Sequence, residues 1–201
     1  MKQPSLAVIM DPIESIKPCK DSTLAMLLEA QSRGWKLHYG QLENVWLCDG
    51  KALGHLAELQ VADDPERWFQ FGDLATTPLG EMDVILMRKD PPFDMEYIAA
   101  TYALQRAEES GALVVNRPQA LRDVNEKAFL AWFPDCAPTT LISRSLREMR
   151  EFVAEHDQVV DKPLHLMAGQ SVFGTGSTDG NHNVILDTVS DFGSRYTMLQ
   201  K

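Results

Sequence analysis

The sequence predicts an α/β protein in two parts: an N-terminal parallel-sheet α/β domain over residues 1–122 and a small α+β unit over residues 123–201. Three observations carry that expectation. The strand candidates of the first part, LAVIM, DVILMR and ALVVN, are short continuous apolar runs, the pattern of strands buried on both faces. They alternate with helical patterns across short loops, the order that builds a parallel sheet. After about residue 120 this alternation gives way to two helix starts, then short strands around a Gly-rich turn. With 201 residues and 44% hydrophobic side chains, the chain has the material for such cores.

The elements follow in order. Residues 6–10 form a buried strand closed by Asp11-Pro12. Ser22 is placed to cap a helix in which Leu24, Leu27, Leu28 and Gln31 share one face, and Gly34 ends it. WKLHYG alternates Trp35, Leu37 and Tyr39 on one side, a strand pattern. Asp49-Gly50 is the pair preferred in a tight hairpin. Residues 83–88 read as a further buried strand, residues 95–110 as a helix stopped by Gly111, and ALVVN as the next strand. In the second unit, Asp123 and Glu126 make an acidic capping box ahead of KAFLAWF, whose Phe129, Trp132 and Phe133 form an apolar face. Ser145 and Glu148 cap the next helix, with Leu146, Met149, Phe152 and Val153 inward. VVDKPL and SVF read as strands, residues 184–189 as a helix and YTMLQK as a closing strand. No internal repeat occurs.

A net charge of −10 argues against nucleic acid or an anionic membrane as partner. Cys19, Cys48 and Cys136 form no CxxC, which suits a reducing compartment. The apolar run of residues 6–10 is too short for a signal peptide or a membrane span, so a cytoplasmic location is expected. The five histidines, at 38, 55, 156, 165 and 182, lack ligand spacing, and no His-based metal site is expected. There is no P-loop, and GTGSTDG is one residue too long for a dinucleotide fingerprint.

Ligands of open α/β sheets sit beyond the C-terminal strand ends, here Asp11-Pro12, RKDPPFD and Asn116-Arg117-Pro118. In MRKDPPFD, the double proline stiffens a loop carrying Arg88, Lys89, Asp90 and Asp94. Arg88 suits a carboxylate because its guanidinium makes two parallel hydrogen bonds; the alternative is that it pairs with Asp90 or Asp94 and only pins the loop. Lys127, placed one turn into a helix, and Lys162, at a strand end, are compact cations that can converge on phosphate or lie on the surface as solvated charges.

Taken together, VIMDPI, KDSTLAMLLEAQSRGW, the run from Asp83 to Phe133 and DKPL closely resemble bacterial glutathione synthetases of the ATP-grasp superfamily. The resemblance covers nearly the whole chain and loosens after Asp161. It implies an N-terminal substrate domain followed by ATP-grasp subdomains that clamp ATP. It implies that Lys127 and Lys162 bind ATP phosphates, that the loop carrying Met167, Gly169 and Ser171 covers them, and that Met198, Leu199 and Gln200 belong to the adenine hinge. Asp11, Arg88 and Asp90 are the expected substrate-binding residues. The implied reaction activates γ-glutamylcysteine as an acyl phosphate for attack by glycine, with ATP and Mg²⁺ as cofactors. Small molecules are the expected partners, and a homo-oligomer is allowed.

Two departures bear on activity. Where the family reads Asp-Gly-Met-Gly-Gly, this chain has His165-Leu166-Met167-Ala168-Gly169, and glycine is what lets backbone approach phosphate closely. Asp161 stands where the family has an apolar residue, and would either reverse the strand face or repel ATP. The family's metal ligands lie in a Glu-x-Asn region that does not occur here, so the chain looks truncated, with no catalytic residue or metal ligand expected within it. Weak ATP binding and no turnover are then expected, the alternative function being a non-catalytic binding or interaction module.

Overall fold

β1 (Ser5–Met10) alternates its apolar side chains between two cores, which is why the run is apolar without interruption. Ala7 and Ile9 point to one face of a seven-stranded sheet, Leu6, Val8 and Met10 to the other. The computed structural model describes residues 3–90, 92–156, 158–164 and 171–201, and the chain divides into two compact units, Met1–Asp123 and Val124–Lys201.

In the first unit, α1 (Ser22–Ser32) buries Leu24 and Leu27 against the Leu6 face. Its cap is Asp21, not Ser22: Asp21 Oδ1 accepts the Leu24 N–H at 2.7 Å. Ser22 is thereby released for another bond. Gly34, with φ of 78°, ends the helix in the left-handed region. β2 (Lys36–Gly40) and β6 (Val84–Arg88) flank β1 in parallel, and β7 (Leu113–Val115) adds parallel to β6. Between them, α2 (Met95–Glu109), capped by Asp94, covers the Ile9 face with Tyr97, Leu104 and Ala107. α3 (Pro118–Asp123) closes the unit.

The other half of this sheet is antiparallel. β3 (Val45–Cys48) and β4 (Lys51–Val61) form the expected hairpin, with Asp49 and Gly50 at φ of 46° and 73° as its turn requires. β4 runs on far enough to pair β2, and on its other edge it pairs β5 (Phe69–Pro78). Ala52 and Leu56 of β4 point to the α2 side, Leu59 and Val61 to the α1 side. The sheet is therefore mixed, with its parallel centre β2-β1-β6-β7 carrying the strand ends that matter for binding.

In the second unit, β8 (Thr140–Ser143), β9 (Val159–Pro163), β10 (Phe173–Thr175) and β11 (Thr197–Gln200) make an antiparallel sheet in the order β10-β9-β11-β8. α4 (Leu146–Glu155) and α5 (His182–Val189) supply Met149, Val153 and Leu186 to a core with Val159 and Leu199. Ser145 caps α4 as expected, but Glu148 turns to the Ser143 hydroxyl, 2.7 Å away, instead of completing a box.

Residues 123–133 do not form the expected capped helix. Asn125 Oδ1 takes the N–H groups of Lys127 and Ala128 at 3.0 and 2.9 Å, and only a five-residue 3-10 turn follows, over Ala128–Trp132. Pro134 cannot extend it. Phe129 stacks on Trp132 at 5.2 Å, yet Trp132 and Phe133 are 68% and 52% exposed, so no inward apolar face forms.

Candidate functional site

Met10 and Arg88 are register partners at the ends of β1 and β6, so both chains leave the sheet side by side. β1 continues into Asp11-Pro12 and a single 3-10 turn over Ile13–Ser15; β6 continues into Lys89-Asp90. The Asp11 carboxylate ties the two exits together. Oδ1 lies 2.8 Å from Lys89 Nζ and Oδ2 accepts the Asp90 N–H at 2.8 Å, while Lys89 Nζ also donates to the Asp90 carbonyl at 2.5 Å. Lys89 is thus spent on the loop itself.

Arg88 pairs with neither Asp90 nor Asp94 in a hydrogen bond or ion pair. Its Nε donates to Thr23 Oγ1 at 3.0 Å and Nη2 to Ser22 Oγ at 3.1 Å, so two hydroxyls at the start of α1 hold the guanidinium from one side. Thr23 is buried, which makes that support rigid. Three of the five guanidinium N–H donors remain, two of them on the Nη1–Nη2 edge that suits a carboxylate. A pocket of about 440 Å³ opens here, lined by Asp11, Pro12, Lys20, Ser22, Arg88 and Asp90 among others. The three substrate candidates therefore lie around one pocket. The sequence marks Ser22 only as a helix cap and Thr23 and Lys20 not at all, although hydroxyls at the first turn after β1 lie where the strand-end rule looks.

The nucleotide candidates lie in the second unit. Lys162 and Met198 are register partners, as are Val160 and Gln200, so all four project from one face of β9 and β11. Lys162 Nζ donates one of its three hydrogens to Gln200 Oε1 at 2.5 Å, and Gln200 Nε2 donates to Thr140 Oγ1 at 2.9 Å. Leu199 points the opposite way, into the helix-side core. Lys127 Nζ lies 2.8 Å from Glu126 Oε1, with its side chain only 15% exposed. Ser171 is exposed with φ of 52°. Met167 and Gly169 lie outside the described residues. Among the described residues, no group of three His, Cys, Asp or Glu side chains could hold a metal ion.

Asp161 neither reverses the strand nor shares a face with Lys162. It alternates with Lys162 to the opposite face, across from Leu199, and is fully buried with both carboxylate oxygens unbonded. Burial pushes its pKa up to about 7.

Both units match known families. Residues 5–122 fit the family model of the prokaryotic glutathione synthetase N-terminal domain, and residues 126–201 that of the prokaryotic glutathione synthetase ATP-grasp domain. The chain belongs to the prokaryotic glutathione synthetase family. It is 48% identical over 195 residues to glutathione synthetase of Vibrio vulnificus, covering 97% of this chain and 61% of that protein. The glutathione synthetases of Pseudomonas putida and Escherichia coli are 51% and 49% identical over the same length, with 62% of each covered. The chain thus spans about three fifths of these glutathione synthetases. Among solved structures, D-alanyl-alanine synthetase A of Vibrio cholerae superposes at a TM-score of 0.62 and 8% identity, over 100% of this chain and 60% of that one. A RimK domain ATP-grasp protein of Sphaerobacter thermophilus superposes at 0.60 and 17% identity, over 98% and 63%. These two share the fold. Among the described residues, no helix is long and apolar enough to cross a membrane.

Proposed function

We propose that this chain carries the dipeptide-binding and part of the nucleotide-binding machinery of a glutathione synthetase, an ATP-dependent ligase joining γ-glutamylcysteine to glycine. The observation that supports it most is the Arg88 guanidinium, held on one edge by Ser22 and Thr23 and open on the other toward a pocket. γ-Glutamylcysteine is a small anionic peptide with an ammonium group at its glutamyl end. The open edge of Arg88 would take a carboxylate in parallel hydrogen bonds, and the Asp90 carboxylate would take the ammonium. Asp11 sets the pocket rim through its bonds to Lys89 and Asp90. Lys20 adds positive charge at the mouth, which helps an acidic chain to admit an anion.

The second unit fits a phosphate at Lys162, whose ammonium is half-buried and oriented by Gln200 with two hydrogens to spare. Bound ATP would supply the phosphoryl group that activates the dipeptide carboxylate; Lys162 and Lys127 would orient its phosphates, and Met198 and Gln200 would belong to the adenine hinge. Among the described residues, no group of three His, Cys, Asp or Glu side chains would hold Mg²⁺.

Titration calorimetry with γ-glutamylcysteine on the wild type and Arg88→Lys tests this reading. The lysine keeps the charge but loses the fork, and affinity is expected to fall about tenfold, the size of one charge-assisted hydrogen bond. Unchanged affinity with a lowered melting temperature would show that Arg88 only braces α1.

A further inference from the structure

The loop that forms one wall of this pocket, residues 11–16, is short and lies outside the sheet. Its own bonds close it locally: Ser15 N and Oγ both donate to the Pro12 carbonyl, at 2.9 and 2.6 Å. Its position relative to the rest of the unit is set by two aromatic side chains from elsewhere. Trp68 Nε1 donates to the Ile13 carbonyl at 3.0 Å, across 55 residues of sequence. Tyr39 Oη accepts the Ile13 N–H at 3.4 Å and donates to the Asp11 carbonyl at 3.3 Å. Three of the loop's backbone groups are therefore held by side-chain tips near the end of β2 and just before β5.

These tips are themselves fixed. Tyr39 is buried, and its ring packs 5.1 Å from Phe71; Phe71 lies 5.1 Å from Phe69, and Phe69 5.6 Å from Trp68. The row of rings runs along the β4–β5 ribbon and ends on the loop. Ile13, wholly buried, anchors the loop in the same core. Neither Trp68 nor Tyr39 lines the pocket. The backbone they hold carries Asp11, whose carboxylate reaches across to Lys89 and to the Asp90 N–H, next to Arg88.

We propose that Trp68 and Tyr39 are positioning residues for the dipeptide pocket: they fix the backbone of residues 11–13 and, through Asp11, the Lys89-Asp90 rim beside Arg88. This role rests on the pocket being the dipeptide site. Trp68, the residue just before β5, reaches the loop from beside the β4–β5 ribbon. Phenylalanine at either position keeps a ring in the row and deletes the polar tip.

The test uses the whole chain, isotope-labelled, with Trp68→Phe and the milder Tyr39→Phe. Without ligand, hydrogen exchange at the Asp90 amide is expected to quicken about threefold to tenfold, the scale of one net hydrogen bond, while the Leu27 amide in α1 keeps its protection. An unchanged Asp90 amide in both variants overturns the proposal. With γ-glutamylcysteine, Trp68→Phe is expected to weaken binding by a similar factor, and to add nothing in an Asp11→Ala background. Additive losses would show that Trp68 does not act through Asp11. If Arg88→Lys weakens binding and neither aromatic variant does, the positioning role alone falls; if none of the three changes affinity, the dipeptide reading falls with it.

Discussion

Replacing Asp161 by leucine is expected to stabilise the second unit by roughly 3–4 kcal/mol at pH 8 and to remove most of its pH dependence between 4 and 7. The carboxyl is fully buried without a hydrogen bond, against Leu199 of a core that otherwise holds Met149, Val153, Val159 and Leu186. Its pKa rises from 3.8 to about 7 through desolvation. The sign follows from proton binding. Between those two values the folded state keeps a proton that the unfolded chain has released, so stability falls as pH rises. It is fully present below about pH 4 and lost above about pH 7. About three pKa units at ~1.36 kcal/mol each give the ~4 kcal/mol at stake. Asp161→Asn, which cannot titrate, should flatten the profile while keeping a buried polar group. Denaturant melts of the three proteins across this range check it, and a wild-type profile without a decline toward neutrality would contradict it. Asp161 also points away from Lys162, on the opposite face of β9.

Lys162→Ala is expected to reduce ATP affinity by tenfold or more, and Lys127→Ala by clearly less. Both lysines suit phosphate by resemblance, but their surroundings differ. Lys162 has one hydrogen on a neutral amide oxygen, whereas the Lys127 ammonium already sits against the Glu126 carboxylate. An incoming phosphate gains the full charge of the first and must compete for the second. A charge-assisted hydrogen bond is worth ~1.5–3 kcal/mol, or about tenfold to a hundredfold in affinity. Calorimetry with ATP decides the order, and equal losses, or a larger loss at Lys127, would show that Glu126 releases its partner on binding.

Local patterns carried much of this into the sequence. The apolar runs of β1 and β6, the Asp49-Gly50 turn and the helix stops at Gly34 and Gly111 each follow from backbone preference over a few residues. The alternation in VVDKP even contains the orientation of Asp161, which shares its face with Val159 and Pro163. What eluded the sequence was set by partners far along the chain. β5 is mostly exposed, and only Phe69 and Phe71 of FQFGDLATTP alternate as apolar residues, so the length of the strand is set by β4 beside it. The Asp11 bonds to Lys89 and Asp90 span 78 and 79 residues, and those of Arg88 to Ser22 and Thr23 span 66 and 65. The Asp123–Glu126 capping box failed because Asp123 ends α3 and Asn125 starts the next turn instead, taking the Lys127 and Ala128 amides.

Binding of the dipeptide in the pocket between the β1 and β6 exits is tested by an amide-resolved nuclear magnetic resonance titration of the labelled chain with γ-glutamylcysteine. Saturable shifts are expected, concentrated at Asp11, Ser22, Thr23 and Asp90, with the Arg88 guanidinium signals moving alongside. Saturable shifts that spare those residues, or none at millimolar dipeptide, would contradict it.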